Sequence, residues 1–152
     1  MDKILKKNIE DSRYLNPGKI SLEGFAFDNI YDLLKKRVEE KSDEIFLSFY
    51  NEGNREKVIS YKEFMISVFY LSEYMQKLGV ANGSRVILFA TNHYNSVLFY
   101  FACWTIGAVA VPVNVSEEIS RIEYIVQNAG VKYIFTSLEY NDKLKSIKSV
   151  SI

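Results

Sequence analysis

Cysteine is almost missing from this chain: Cys103 stands alone among 152 residues. That excludes an internal disulfide framework and fits a reducing compartment. Histidine is just as scarce, and His93 by itself cannot build a typical zinc site without cysteines or carboxylates nearby. No G-x-S-x-G supplies a serine nucleophile. The seven glycines (Gly18, Gly24, Gly53, Gly79, Gly83, Gly107 and Gly130) form neither G-x-G-x-x-G nor G-x-x-x-x-G-K-(S/T). Net charge is absent too. Nineteen basic residues balance nineteen acidic ones, so the electrostatic footprint of a nucleic-acid binder is missing and no nucleic-acid partner is expected. The start of the chain, MDKILKKNIEDSRYLNPGK, has no apolar h-region and no small-residue cleavage site. Its interleaved acids make it read as a solvated leader over residues 1–27, punctuated by the Asn16-Pro17-Gly18 turn.

Apolar material is plentiful: 48% of the residues are hydrophobic and 14% aromatic, enough for a core and against disorder. Regular structure is expected from Asp28 as N-cap, followed by a helix in which Ile30, Leu33, Leu34 and Val38 share one side. EIFLSFYNEGNREKVIS reads as two antiparallel strands about a Gly53-Asn54 turn. Ser60 with Glu63 forms a capping box for a helix ended by Gly79, with Tyr61, Phe64, Met65, Val68, Leu71, Met75 and Leu78 as its apolar stripe.

The stretch SVLFYFACWTIGAVAVPVN, Ser96 to Asn114, raises the question of a membrane span. A span needs ~20 apolar residues without strong breakers. Gly107 falls where a helix would end, and Pro112 follows; proline inside a helix costs ~3 kcal/mol. The AVAV between them is β-branched at every second position, which favours a strand. The stretch therefore parses as strand 85–90, helix 94–106 capped by Thr91 or Asn92, and strand 109–113. That is a βαβ unit. Ile119, Ile122, Ile125 and Val126 mark a further helix stopped at Gly130, KYIFTS a strand, and Leu138 to Ile147 a last helix. Strands alternating with helices imply an α/β fold, mainly a parallel sheet with βαβ crossovers plus an N-terminal β-hairpin. The expected organisation is leader 1–27, a partial α/β subdomain over 28–148, and a tail over 149–152.

No catalytic, cofactor-binding or metal-ligating residue emerges. GVANGSR holds Gly79 and Gly83 between helix and strand, whereas a phosphate loop lies between strand and helix. His93 reads as a polar residue of a first helical turn. Cys103, between Ala102 and Trp104, reads as a small buried hydrophobe. The tyrosines and phenylalanines sit on core faces without interleaved basic residues, a packing pattern rather than a base-stacking one.

The order of short signals resembles the N-terminal part of the adenylate-forming (AMP-binding) superfamily, which includes acyl-CoA synthetases, peptide-synthetase adenylation domains and luciferases. Ser60-Tyr61-Lys62-Glu63-Phe64 is similar to the family's Thr-Tyr-x-Glu-Leu. Leu78-Gly79-Val80 with Gly83-Ser84-Arg85-Val86 is similar to its Leu-Gly-Val…Gly-Asp-Arg-Val. Gly107-Ala108-Val109 and Val111-Pro112-Val113-Asn114 resemble its Gly-Ala…Val-Pro-Leu-Asn. Tyr124, Asn128-Ala129-Gly130-Val131-Lys132 and Thr136 follow its pattern to about residue 140. Ser84, Val113 and Val115 depart from the usual aspartate, leucine and proline at turn and packing positions. Asn114, where peptide-synthetase members more often carry aspartate, leans towards acyl-CoA or acyl-AMP ligases.

The resemblance implies a two-step reaction in a longer parent ligase. A carboxylate attacks the α-phosphate of ATP, pyrophosphate leaves, and a thiol of CoA or a carrier protein takes the acyl group. The family's phosphate loop, adenine and magnesium motifs and catalytic lysine all follow the matched region. Hence ATP and Mg are expected of the parent and no cofactor of this chain, which is expected to be an inactive, cytoplasmic N-terminal fragment. The alternative is a free-standing, non-catalytic α/β binding or interaction domain. Expected partners are the remainder of the ligase and a second copy, through an apolar face of the 94–106 helix; a membrane span is not expected.

Overall fold

The computed structural model describes Phe27, residues 29–147 and Val150. The expected leader and tail otherwise lie outside the described residues. Helix α1 is Ile30–Lys41, and its cap is Asn29, whose Oδ1 accepts the Asp32 amide at 2.9 Å. The expectation of Asp28 as cap is thus off by one residue. Strands β1 (Ile45–Asn51) and β2 (Asn54–Ser60) pair antiparallel, with Asn51 opposite Asn54. The turn is therefore Glu52-Gly53, not Gly53-Asn54. Both residues have positive φ, 48° and 83°, the two-residue turn whose twist matches that of the strands it joins.

Helix α2 (Tyr61–Lys77) opens on the expected capping box. Ser60 Oγ accepts the Glu63 amide at 3.2 Å while Glu63 Oε2 accepts the Ser60 amide at 2.9 Å. Strand β3 (Arg85–Phe89), helix α3 (Tyr94–Thr105) and strand β4 (Val109–Pro112) form the βαβ unit, with β3 and β4 parallel from Arg85↔Val109 to Leu88↔Pro112. No helix among the described residues is long and apolar enough to cross a membrane. The break comes at Gly107, whose φ of 72° lets Ala108 donate back to the Cys103 carbonyl at 2.8 Å. Helix α4 is Ile119–Ala129 and strand β5 is Tyr133–Thr136. The helix expected over Leu138–Ile147 is instead a 3₁₀ turn, Leu138–Tyr140, and a single α-turn, α5 (Asn141–Leu144). Leu144 and Ile147 are buried and Tyr140 packs on Phe89, while Leu138 points outward, so no continuous face holds a helix down.

The parallel sheet runs β4-β3-β5. Alternation along the central strand serves two layers at once. Val86 and Leu88 face Met75 of α2 with Phe99, Ala102 and Cys103 of α3. Ile87 and Phe89 face Ile122 and Val126 of α4, with Leu144 and Ile147. A third cluster joins the hairpin to the helices through Leu34, Ile59, Phe64 and Val68, flanked by Val97, Leu98 and Phe101. The second face of α3 is partly covered by this chain's own α1, α2 and hairpin. Trp104 remains 47% exposed.

Candidate functional site

From β3 the chain first steps to β4 on one side, then crosses to β5 on the other. α3 and α4 accordingly lie on opposite faces, and the crevice between the C-terminal ends of β3 and β5 is a topological switch point. Ligands of open α/β sheets collect at such points. An open cleft of about 550 Å³ occupies this position. Its walls are Leu71, Leu88, Leu98, Phe99 and Phe135. Thr91, His93, Asn95 and Ser96 form one rim, and Thr136, Ser137 and Glu139 the other.

Hydrogen bonds fix the rim. Thr136 Oγ1 donates to the Phe89 carbonyl at 2.7 Å, fastening the end of β5 to that of β3. Ser96 Oγ donates to the Thr91 carbonyl at 3.3 Å, and Ser137 Oγ to Glu139 Oε1 at 3.1 Å. A smaller cleft of about 310 Å³ adjoins on the β4 side, with Asn114 at its edge. Asn114 Oδ1 accepts both the amide and the hydroxyl of Ser116, at 3.0 and 2.9 Å, so its side chain shapes a turn.

His93 is the N-cap of α3, the role first given to Thr91 or Asn92. Its Nδ1 accepts the Asn95 amide at 3.3 Å, and its ring packs between Phe49 and Tyr94. His93 and Glu139 line the same cleft, yet no hydrogen bond joins them among the described residues; each is engaged within its own loop. Cys103 is buried against the sheet, and burial pushes its thiol up to about 12. Burial of this kind disfavours the thiolate, the nucleophilic form. Gly79 and Gly83 lie at the opposite, N-terminal end of β3, in a turn closed by the Ala81 amide on Ser84 Oγ and the Gly83 amide on the Gly107 carbonyl. Among the described residues, no three of His, Cys, Asp and Glu gather to hold a metal ion.

The rim residues Thr91, Asn95, Ser96, Thr136, Ser137 and Glu139 were not singled out from sequence as site residues. Their signal is faint: small polar groups directly after the apolar runs VILFA and YIF.

The family model of the AMP-binding enzyme matches residues 34–151, most of the chain. The chain belongs to the AMP-binding enzyme family. A long-chain-fatty-acid–CoA ligase of Mycobacterium bovis is 27% identical over 62 residues, covering 41% of this chain and 10% of that protein. A Mycobacterium tuberculosis fatty acyl CoA synthetase superposes with a TM-score of 0.69 at 20% identity, over 81% of this chain and 24% of that one. A fatty acyl-adenylate ligase from L. pneumophila, solved with acyl adenylate and pyrophosphate, gives 0.74 at 18% identity, over 87% and 24%. The chain thus spans about a quarter of these solved AMP-binding enzymes, and its fold is that of their N-terminal subdomain. The short motifs that carry the family likeness are junctions of the fold: the Ser60–Glu63 capping box, the Gly107 turn, and Pro112–Asn114 at the end of β4.

Proposed function

We propose that this chain is the N-terminal portion of an AMP-forming carboxylic acid ligase, and that alone it forms no acyl-adenylate. The observation that carries this reading is the chemistry of the switch-point cleft. Its walls are apolar, its rim offers hydroxyl and amide groups with the His93 imidazole, and its one carboxylate, Glu139, is an anion. Stabilising a reacting phosphate needs donors or cations aimed at the charge, and a carboxylate opposes it. The cleft offers no lysine or arginine to the triphosphate of ATP, and the groups that hold ATP and Mg enter with the remainder of the ligase. What the cleft does suit is the uncharged carbon skeleton of an organic acid, for which it supplies one wall. The outer side of α2 supports a missing partner rather than a self-sufficient domain: Ile66, Phe69 and Tyr70 stand in solvent there. The proposed setting is the cytoplasm, where the free thiol of Cys103 stays reduced.

The test is pyrophosphate exchange with Mg-ATP over a panel of carboxylates, paired with calorimetric titration of Mg-ATP. The expected result is exchange at the blank rate and no binding heat. Exchange above the blank would overturn the reading. Gene sequence beyond the Ile152 codon tests the other half; a Ser/Thr/Gly-rich loop with lysine is expected there.

A further inference from the structure

His93 is the single histidine of the chain, and it stands where the hairpin, α3 and the main cleft meet. Its backbone is extended, with φ −150° and ψ 159°, and it caps α3. The amides of a helix's first turn have no carbonyl of their own helix to bond. That of Asn95 is met by His93 Nδ1 at 3.3 Å, so in this geometry Nδ1 is the ring nitrogen without a proton. The ring lies against Phe49 of β1, with 4.9 Å between centroids, and against Tyr94, at 4.1 Å. Asn95, held by this bond, and Ser96, whose amide donates to the His93 carbonyl at 2.9 Å, both line the cleft.

We propose that His93 is a proton-operated clasp on the cleft rim. Without a proton on Nδ1 it holds the first turn of α3 closed; with one it releases that turn. The common caps are hydroxyls, amides and carboxylates, which keep an acceptor oxygen at every pH near neutrality. Imidazole is different. It takes up a proton in the ordinary histidine range, and both nitrogens are then donors. Nδ1–H would face the Asn95 N–H, donor against donor, at the end of a helix where the macrodipole already opposes positive charge. The ring must turn or the amide must leave, and either change reshapes the rim at Asn95.

The surroundings do not restore what is lost. Phe49 brings no charge from β1, and Tyr94 is the titratable neighbour on α3 itself. Behind the cap, Lys57 of β2 and Glu63 of α2 share a crevice with Tyr94 and Asn95, and the Glu63 carboxylate is taken up by Ser60. Across the cleft stands Glu139, exposed and bonded by Ser137. It favours the proton, but through screening solvent. The rings of Phe49 and Tyr94 also welcome a cation, yet neither gives Asn95 a new acceptor. The proton thus weakens the folded state, whose stability falls as pH drops through the histidine range. This inference concerns the described residues alone and does not depend on the ligase reading.

Thermal melts of the 152-residue chain and of His93→Asn, each at about pH 8 and about pH 5, are the test. Asparagine is a strong cap that does not titrate, and every other group is common to the two chains. On acidification the parent sequence is expected to lose ~2–4 °C more than the variant, the shift that one N-cap is worth in a chain of this size. Proton–nitrogen NMR of the parent sequence gives a second readout that needs no variant. The Asn95 amide proton should move upfield, as a released amide does, in step with the ring protons of the one histidine. Equal losses in the two chains overturn the proposal. So does a smaller loss in the parent sequence, which would mean that the rings' hold on the cation outweighs the cap. An Asn95 amide that stays in place while the imidazole titrates overturns it as well.

Discussion

Phe64 is the residue on which the attachment of the hairpin turns. It is fully buried on α2, its ring centroid is 4.3 Å from that of Phe46 on β1, and 5.0 Å from that of Phe101 on α3. One side chain thus bonds three elements that are far apart in sequence. Truncation to alanine removes a buried aromatic, which costs ~3–5 kcal/mol when the cavity does not collapse. The two aromatic contacts are worth a further ~0.5–1.5 kcal/mol each beyond their area, partly contained in that range. A domain of this size holds only ~5–15 kcal/mol in total, so Phe64→Ala is expected to be marginally folded at 25 °C. Phe64→Leu, which fills most of the space, should lose ~1–2 kcal/mol. Urea titration followed by circular dichroism gives both values. The fluorescence of Trp104, the single tryptophan, reports the same cluster through its contact with Phe101 at 5.3 Å. A loss below 1 kcal/mol for Phe64→Ala would refute the reasoning, since it would mean that the hairpin is held by something other than this cluster.

Two further outcomes follow from ionisable groups. The Ser60 amide, and then its hydroxyl, hold the Glu63 carboxyl below its ordinary value. Because the folded value lies below the unfolded one, this stabilisation is full above the ordinary carboxylate range and vanishes as pH falls through the folded value. Melting temperatures from neutral to acid pH should therefore fall less steeply in Glu63→Gln than in the parent sequence; parallel curves would count against the capping box as an acid-sensitive element. Cys103, buried and with its thiol pushed up to about 12, should resist thiol reagents at pH 8 and react only as urea unfolds the chain. Rapid labelling of the native protein would show that α3 opens from the sheet.

Much of the fold was legible because its punctuation is local. Ser60, Gly107, Pro112 and Gly130 each act through dihedral limits or a cap bond within a few residues, and each ends or begins an element where expected. The errors share a different cause. Asn29 beats Asp28, and His93 beats Thr91 and Asn92, because several adjacent residues can cap and the packing of the helix selects one. The all-round apolarity of α3 was visible, but not what meets each face; Phe46, Phe64 and Val68 arrive there from distant segments. The cleft was illegible for the same reason. Thr136 and Thr91 become neighbours of one crevice only once β5 crosses to the far side of β3, a pairing that no local pattern announces.

That crossing also sets the order in which the molecule can be made. β3 finds β4 almost at once, but its contact with β5 spans 47 residues, from Phe89 to Thr136. Synthesis at ~5–20 residues per second leaves an interval of several seconds between the two. Through that interval Ile87 and Phe89 have neither β5 beside them nor a finished α4 layer above. The nascent chain therefore carries its most apolar strand half-dressed through that interval, and non-local pairing of this kind is slow even after release. Chaperone capture during translation, if it occurs, belongs to the period before residue 136 emerges, and codons that slow the ribosome over α4 would prolong it.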